Sequence, residues 1–94
     1  MWEATYSNLG HAYRKQGLYE DAQKAYQEAL NLAPSHDMEV RGSLLSSLGF
    51  TCHLRGRLDE AIVYYQQALY VAPNHRFTLD MLSRAINTRI GEKN

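Results

Sequence analysis

Cysteine and proline are nearly absent from this 94-residue chain, which has one Cys and two Pro. A lone Cys52 closes no internal disulfide, so packing must hold the fold, as suits a reducing compartment. Cys52 reads as a small buried hydrophobe, and His53 beside it would point about 100° away on a helix. Neither charge sign is in excess, with ten basic and ten acidic residues. No global field therefore favours nucleic acid or a membrane surface. Apolar runs fall short of the ~18 residues that span a bilayer, and no basic-then-apolar leader opens the chain, so an intracellular protein is expected. Glycine-rich phosphate loops, an H-E-x-x-H motif and a Ser/His/Asp set are missing too. His11, His36, His53 and His75 are scattered over helices and linkers. No catalytic residue, metal site or cofactor is expected, and the chain is not read as an enzyme.

What the chain does have is repetition. Leu9-Gly10, Gly17, Ala22, Tyr26-Gln27, Ala29-Leu30 and Ala33-Pro34 return 39 residues later as Leu48-Gly49, Gly56, Ala61, Tyr65-Gln66, Ala68-Leu69 and Ala72-Pro73. A partial third copy follows at a spacing of 34, where Leu45, Leu48, Gly49 and Cys52 are answered by Leu79, Leu82, Ser83 and Ile86.

The repeated positions have a physical reading. Tyr6, Leu9 and Tyr13 lie three and four apart and share a helix face, as do Ala22, Ala25, Tyr26, Ala29 and Leu30. Two amphipathic helices then pack as a hairpin. Gly10 costs about 1 kcal/mol of helix propensity relative to Ala, so close packing, expected against Ala22, must account for it. Gly17 suits a left-handed C-terminal cap, Glu20 and Asp21 favour the next helix N-terminus, and Pro34 ends that helix. The predicted architecture is all-α: repeat one over about 3–36, an insertion at about 37–41, repeat two over about 42–75, and a capping helix over about 76–90, all in one domain of residues 1–94. Asp37 is a candidate N-cap, and the insertion lengthens either the next helix or the loop before it. Asn74 is expected to cap the last helix and Gly91 to stop it, with Leu79, Leu82 and Ile86 shielding the end of the array and Arg84 and Arg89 outward. Trp2 follows Met1 with no capping residue, which reads as the edge of a longer array whose preceding repeats are missing.

In stacked hairpins the first helix of each pair lines a concave surface suited to an extended ligand. The inward positions are Ser7, Asn8, His11, Arg14 and Lys15, then Ser46, Ser47, Phe50 and His53, then Asp80, Met81, Arg84 and Asn87. The candidate peptide-binding set is Ser7, Asn8, His11, Arg14, Lys15, Ser46, Phe50, His53, Met81 and Arg84. It mixes hydroxyl and amide groups with apolar and cationic side chains, and suits a peptide of acidic or polar character.

The motif Tyr6-x2-Leu9-Gly10-x2-Tyr13, Ala22-x3-Tyr26, Pro34, met again around Leu48-Gly49, resembles the tetratricopeptide repeat. The resemblance implies a helix-turn-helix solenoid that binds proteins. One subgroup grips a terminal carboxylate with a Lys/Asn/Lys/Arg set at positions that here hold Ser7, His11, Ser47, Phe77 and Met81, so that function is rejected. Trp2, Thr5, Asn8-Leu9-Gly10-His11, Tyr13 and Arg14-Lys15, with SLGFTCHLRGRLDEAIVYYQQAL and LDMLSRAI further on, are similar to the last repeats of a scaffold subunit of the anaphase-promoting complex, a ubiquitin ligase. That likeness implies a nuclear and cytoplasmic protein whose groove encloses an extended segment of the complex's smallest subunit, with Asn8, His11 and Arg14 as the groove residues carried over. The alternatives are an interaction repeat of another assembly, such as a transport adaptor, and the targeting array of an enzyme such as a glycosyltransferase.

Overall fold

The computed structural model describes residues 2–93. Five helices follow one another: α1 (Trp2–Lys15), α2 (Tyr19–Leu32), α3 (Met38–Leu54), α4 (Leu58–Val71) and α5 (Arg76–Lys93). The pairs α1/α2 and α3/α4 are antiparallel hairpins, and α5 lies along α4, giving an elongated body of 45 × 29 × 17 Å.

Both hairpin turns are built alike. Gly17 and Gly56 each take φ +79°, where a side chain would be strained. Around the first, the Leu18 amide donates to the Tyr13 carbonyl at 2.9 Å and the Gly17 amide to Arg14 at 3.0 Å; around the second, Arg57 donates to Cys52 at 2.9 Å and Gly56 to His53 at 3.0 Å. This is the Schellman arrangement, which satisfies carbonyls that a helix end would otherwise leave open.

Closure of each hairpin depends on a missing side chain. A Cβ on Gly10 would stand 2.6 Å from the Tyr26 ring, and one on Gly49 2.6 Å from the Tyr65 ring. The partner of Gly10 is therefore Tyr26 rather than Ala22, because the crossing sets the ring against the helix backbone. Tyr26 and Tyr65 are fully buried. Tyr26, Ala22 and Ala29 of α2 and Ala33 just after it share one cluster with Leu44 and Leu48 of α3. Cys52, Leu58, Ala61, Tyr65 and Ala85 form a second, and Tyr64 packs against both.

The insertion lengthens a helix. In the register that relates α3 to α5, α3 starts four residues earlier and its connector is one residue longer. The Asp37 side chain caps the added turn, accepting from the Val40 amide at 3.2 Å.

The last helix departs from expectation at both ends and on its faces. His75, not Asn74, precedes it: the His75 carbonyl accepts from Leu79 at 3.0 Å, while Asn74 sits inside a turn closed by the His75 amide on the Ala72 carbonyl at 3.2 Å. The helix passes through Gly91 to Lys93, because Gly91 keeps a negative φ and does not take the left-handed cap conformation. Thr78 and Ala85 are its buried contacts with Met81 and Leu82 beside them, whereas Leu79, Ile86 and Ile90 are exposed. Leu79 and Ile86 occupy the face that takes a second hairpin helix in the earlier repeats, and the described residues supply none here. Arg89 does not point away: it pairs with Asp59 of α4.

Polar links run between neighbouring units. Arg55 donates to Gln23 at 2.6 Å and stands 3.7 Å from Glu20, and Gln27 donates to the Tyr64 hydroxyl at 3.1 Å. Each joins α2 to the second hairpin.

Candidate peptide groove

The helices α1, α3 and α5 leave two clefts between them. One, of about 280 Å³, is lined by Glu3, Ala4 and Ser7 of α1 and by Glu39, Val40, Ser43 and Leu44 of α3. The other, of about 370 Å³, is lined by Arg14, Ser43, Ser46, Ser47, Phe50, His75 and Phe77. Ser43 borders both, so the two lie side by side along α3 and are taken together as a trough.

Of the candidate set, Ser7 borders the first cleft, and Arg14, Ser46 and Phe50 meet in the second. Ser46 is buried, its hydroxyl 3.0 Å from that of Thr78, so it ties α3 to α5 as well as edging the cleft. His11 and His53 turn toward the hairpin interior instead. His11 Nδ1 lies 2.5 Å from the Tyr26 hydroxyl, and His53 Nδ1 lies 3.4 Å from that of Tyr65. Met81 is half-buried against the second core cluster. Asn8, Lys15 and Arg84 are exposed and border neither cleft.

Four lining residues of the second cleft, Ser43, Ser47, His75 and Phe77, are outside that set, and of these Ser47 is among the inward positions read from the repeat. Phe77 stands 34 residues after Ser43 and so shares its inward face, a signal that the repeat register already carries. His75 has no such signal, since it lies in a connector.

Around Arg14 the geometry is specific. Its Nε donates a long bond to the Tyr26 hydroxyl at 3.4 Å, and its Cζ lies 5.3 Å from the centroid of the Phe50 ring. The Tyr26 hydroxyl accepts from Arg14 and shares a hydrogen bond with the neutral His11 ring, whose Nδ1 donates or accepts according to its tautomer. Burial, then the Arg14 and Lys15 charges, hold the His11 pKa below its ordinary value, in keeping with that neutral form. Phe77 meets Phe50 edge-on at 5.9 Å and His75 at 6.4 Å.

Burial foremost pushes the Cys52 thiol up to about 11, far from the thiolate a nucleophile needs. Among the described residues, no three His, Cys, Asp or Glu side chains gather as a metal site would require. No described helix is long and apolar enough to cross a membrane.

No curated protein matches the chain. The tetratricopeptide repeat family matches residues 3–74, both hairpins with their glycine-and-tyrosine closures. With that match over most of its length, the chain belongs to the tetratricopeptide repeat family, whose helical repeats are protein-protein interaction modules.

Proposed function

We propose that the chain is a non-enzymatic scaffold segment that holds an extended peptide of a partner protein in the trough between α1, α3 and α5. The observation that carries this reading is the trough itself, where serine hydroxyls that can serve a peptide backbone stand beside a guanidinium and two aromatic rings. The assembly we propose is the anaphase-promoting complex, with the chain as the C-terminal array of a subunit like cell division cycle protein 16. The occupant would be the extended N-terminal segment of the smallest subunit, and the setting nuclear and cytoplasmic. Support comes from the run Asn8-Leu9-Gly10-His11 with Tyr13 and Arg14-Lys15 on α1, and from the uncovered outer face of that helix. Trp2 is 70% exposed and Leu9 41%, at positions where α3 has Arg41 and Leu48 against α2. A preceding repeat would cover them.

The test is a pull-down from nuclear extract with the chain as bait and identification of captured proteins by mass spectrometry. Recovery of the smallest subunit, and its loss in an Asn8→Ala/Arg14→Ala double variant of unchanged circular dichroism, is the expected result. A folded bait that never recovers it would overturn the assignment to this assembly.

A further inference from the structure

We infer that the cleft around Arg14 is a receptor for an acidic and an aromatic side chain two residues apart, which share one face of an extended peptide, carried inside that peptide rather than at its end. The inference deepens the groove reading above and rests on it for the location of the peptide.

Arg14 is held from two sides. The Tyr26 hydroxyl takes its Nε, and the Phe50 ring lies beneath the guanidinium. Both contacts leave the two terminal nitrogens without a hydrogen-bond or ion-pair partner among the described residues. A planar guanidinium with its far edge open matches a carboxylate in bidentate fashion, and orienting it beforehand lowers the ordering cost of binding.

Four acidic groups are engaged away from this cleft. Glu20 faces Lys24 and Arg55, Glu60 pairs with Arg57, Asp59 pairs with Arg89, and Asp37 caps α3. The second cleft has no acidic lining residue, while Glu3 and Glu39 border the first. A chain of zero formal charge therefore presents an unneutralised cation at one end of its trough.

Beside the cation lies an apolar floor. Phe77 is 48% exposed and meets Phe50 edge-on, so an incoming ring finds aromatic surface already ordered. Ser43 and Ser47 border the same space and can bond an extended backbone. At about 370 Å³ the cleft falls in the lower part of the about 300–1,000 Å³ span of ligand pockets, room for a short stretch of side chains and not a folded element. This differs from a grip on a chain terminus, because one arginine reads the anion and aromatic surface reads the ring.

The test is an NMR titration of the 94-residue chain with nonapeptides, acetylated and amidated so that no terminal charge contributes. The Asp-Phe probe has Asp-Gly-Phe at the centre of a Gly-Ser frame, so that both side chains share a face; in the Asn-Phe and Asp-Ala comparisons one of the two is replaced. The Asp-Phe peptide should shift the Arg14 side-chain NεH and the rings of Phe50 and Phe77. It should bind about fivefold more tightly than Asn-Phe, with the difference falling as salt rises. In Arg14→Gln the two peptides should bind alike, with circular dichroism unchanged; Arg14→Lys should keep part of the preference. Equal binding of Asp-Phe and Asn-Phe by the unmodified chain, with shifts still at Ser43 and Phe77, would overturn the acidic receptor and leave the groove standing. Absence of any shift at about 10 mM peptide, where millimolar binding registers, would overturn the receptor as well. A preference for Asp-Phe alongside a failed pull-down would uphold the receptor and overturn only the assembly.

Discussion

The two hairpins share a closure and differ in what one helix position does with it. In both, a glycine of the first helix lets a tyrosine ring of the second press against backbone. In the first hairpin, His11 bonds the tyrosine hydroxyl; 39 residues on, the equivalent position is Phe50, which leaves the hydroxyl to His53 and joins the wall of the trough. The core residues are therefore common property of the repeat. The individuality of this chain lies in the next positions round the same helices, where a change of one residue moves a side chain from core support to groove surface.

Three measurements sharpen or break that comparison. The largest effect should come from the pair Leu48 and Leu9, which occupy one repeat position in different surroundings. Leu48 is fully buried against α2 and Leu9 is 41% exposed, so Leu48→Ala should cost about 3 kcal/mol and Leu9→Ala under about 1 kcal/mol in urea unfolding. Comparable losses would mean that Leu9 is covered in solution.

Next come the closures. Gly10→Leu and Gly49→Leu should each destabilise by about 2–3 kcal/mol, because the tyrosine ring must leave its place. Equal costs would uphold the likeness of the hairpins, and unchanged thermal unfolding in either variant would sink the packing account.

The smallest effect concerns pH. The His11 pKa is lowered in the folded chain, so the unfolded chain binds the proton more readily and stability falls as pH drops through the ordinary histidine range and below. Above that range the contribution is fully present. His11→Phe, which copies Phe50 into the first hairpin, should flatten the fall in melting temperature between about pH 7 and 5. An unaltered slope would place the titration elsewhere.

Much of this fold is legible as repetition. The glycines at turn positions, the alanine stripe and the tyrosines announce two hairpins before any coordinate is known. Which atoms meet is less legible, since Gly10 could face either Ala22 or Tyr26 until the crossing of the helices is known. The α5 helix shows why edges are harder. Its leucines follow the core pattern of α3, but a pattern specifies a face, and burial of that face requires a neighbouring helix. Leu79 and Ile86 are therefore exposed while Thr78 and Ala85 carry the contact with the rest of the fold. The groove was partly readable for the same reason. Arg14 and Phe50 follow from repeat register, and Ser7 does too, whereas His75 enters through a connector and His11 is drawn inward by a hydroxyl on another helix.

The paired turns at Gly17 and Gly56 bear on how quickly the chain finds its structure. Each joins two 14- to 17-residue helices through three residues, so the contacts that close a hairpin are made between segments already near each other along the polypeptide. Little loop entropy opposes them, and helical chains dominated by such local contacts fold in about microseconds to milliseconds. The α2/α3 packing joins the two hairpins, and the α4/α5 packing adds the last helix.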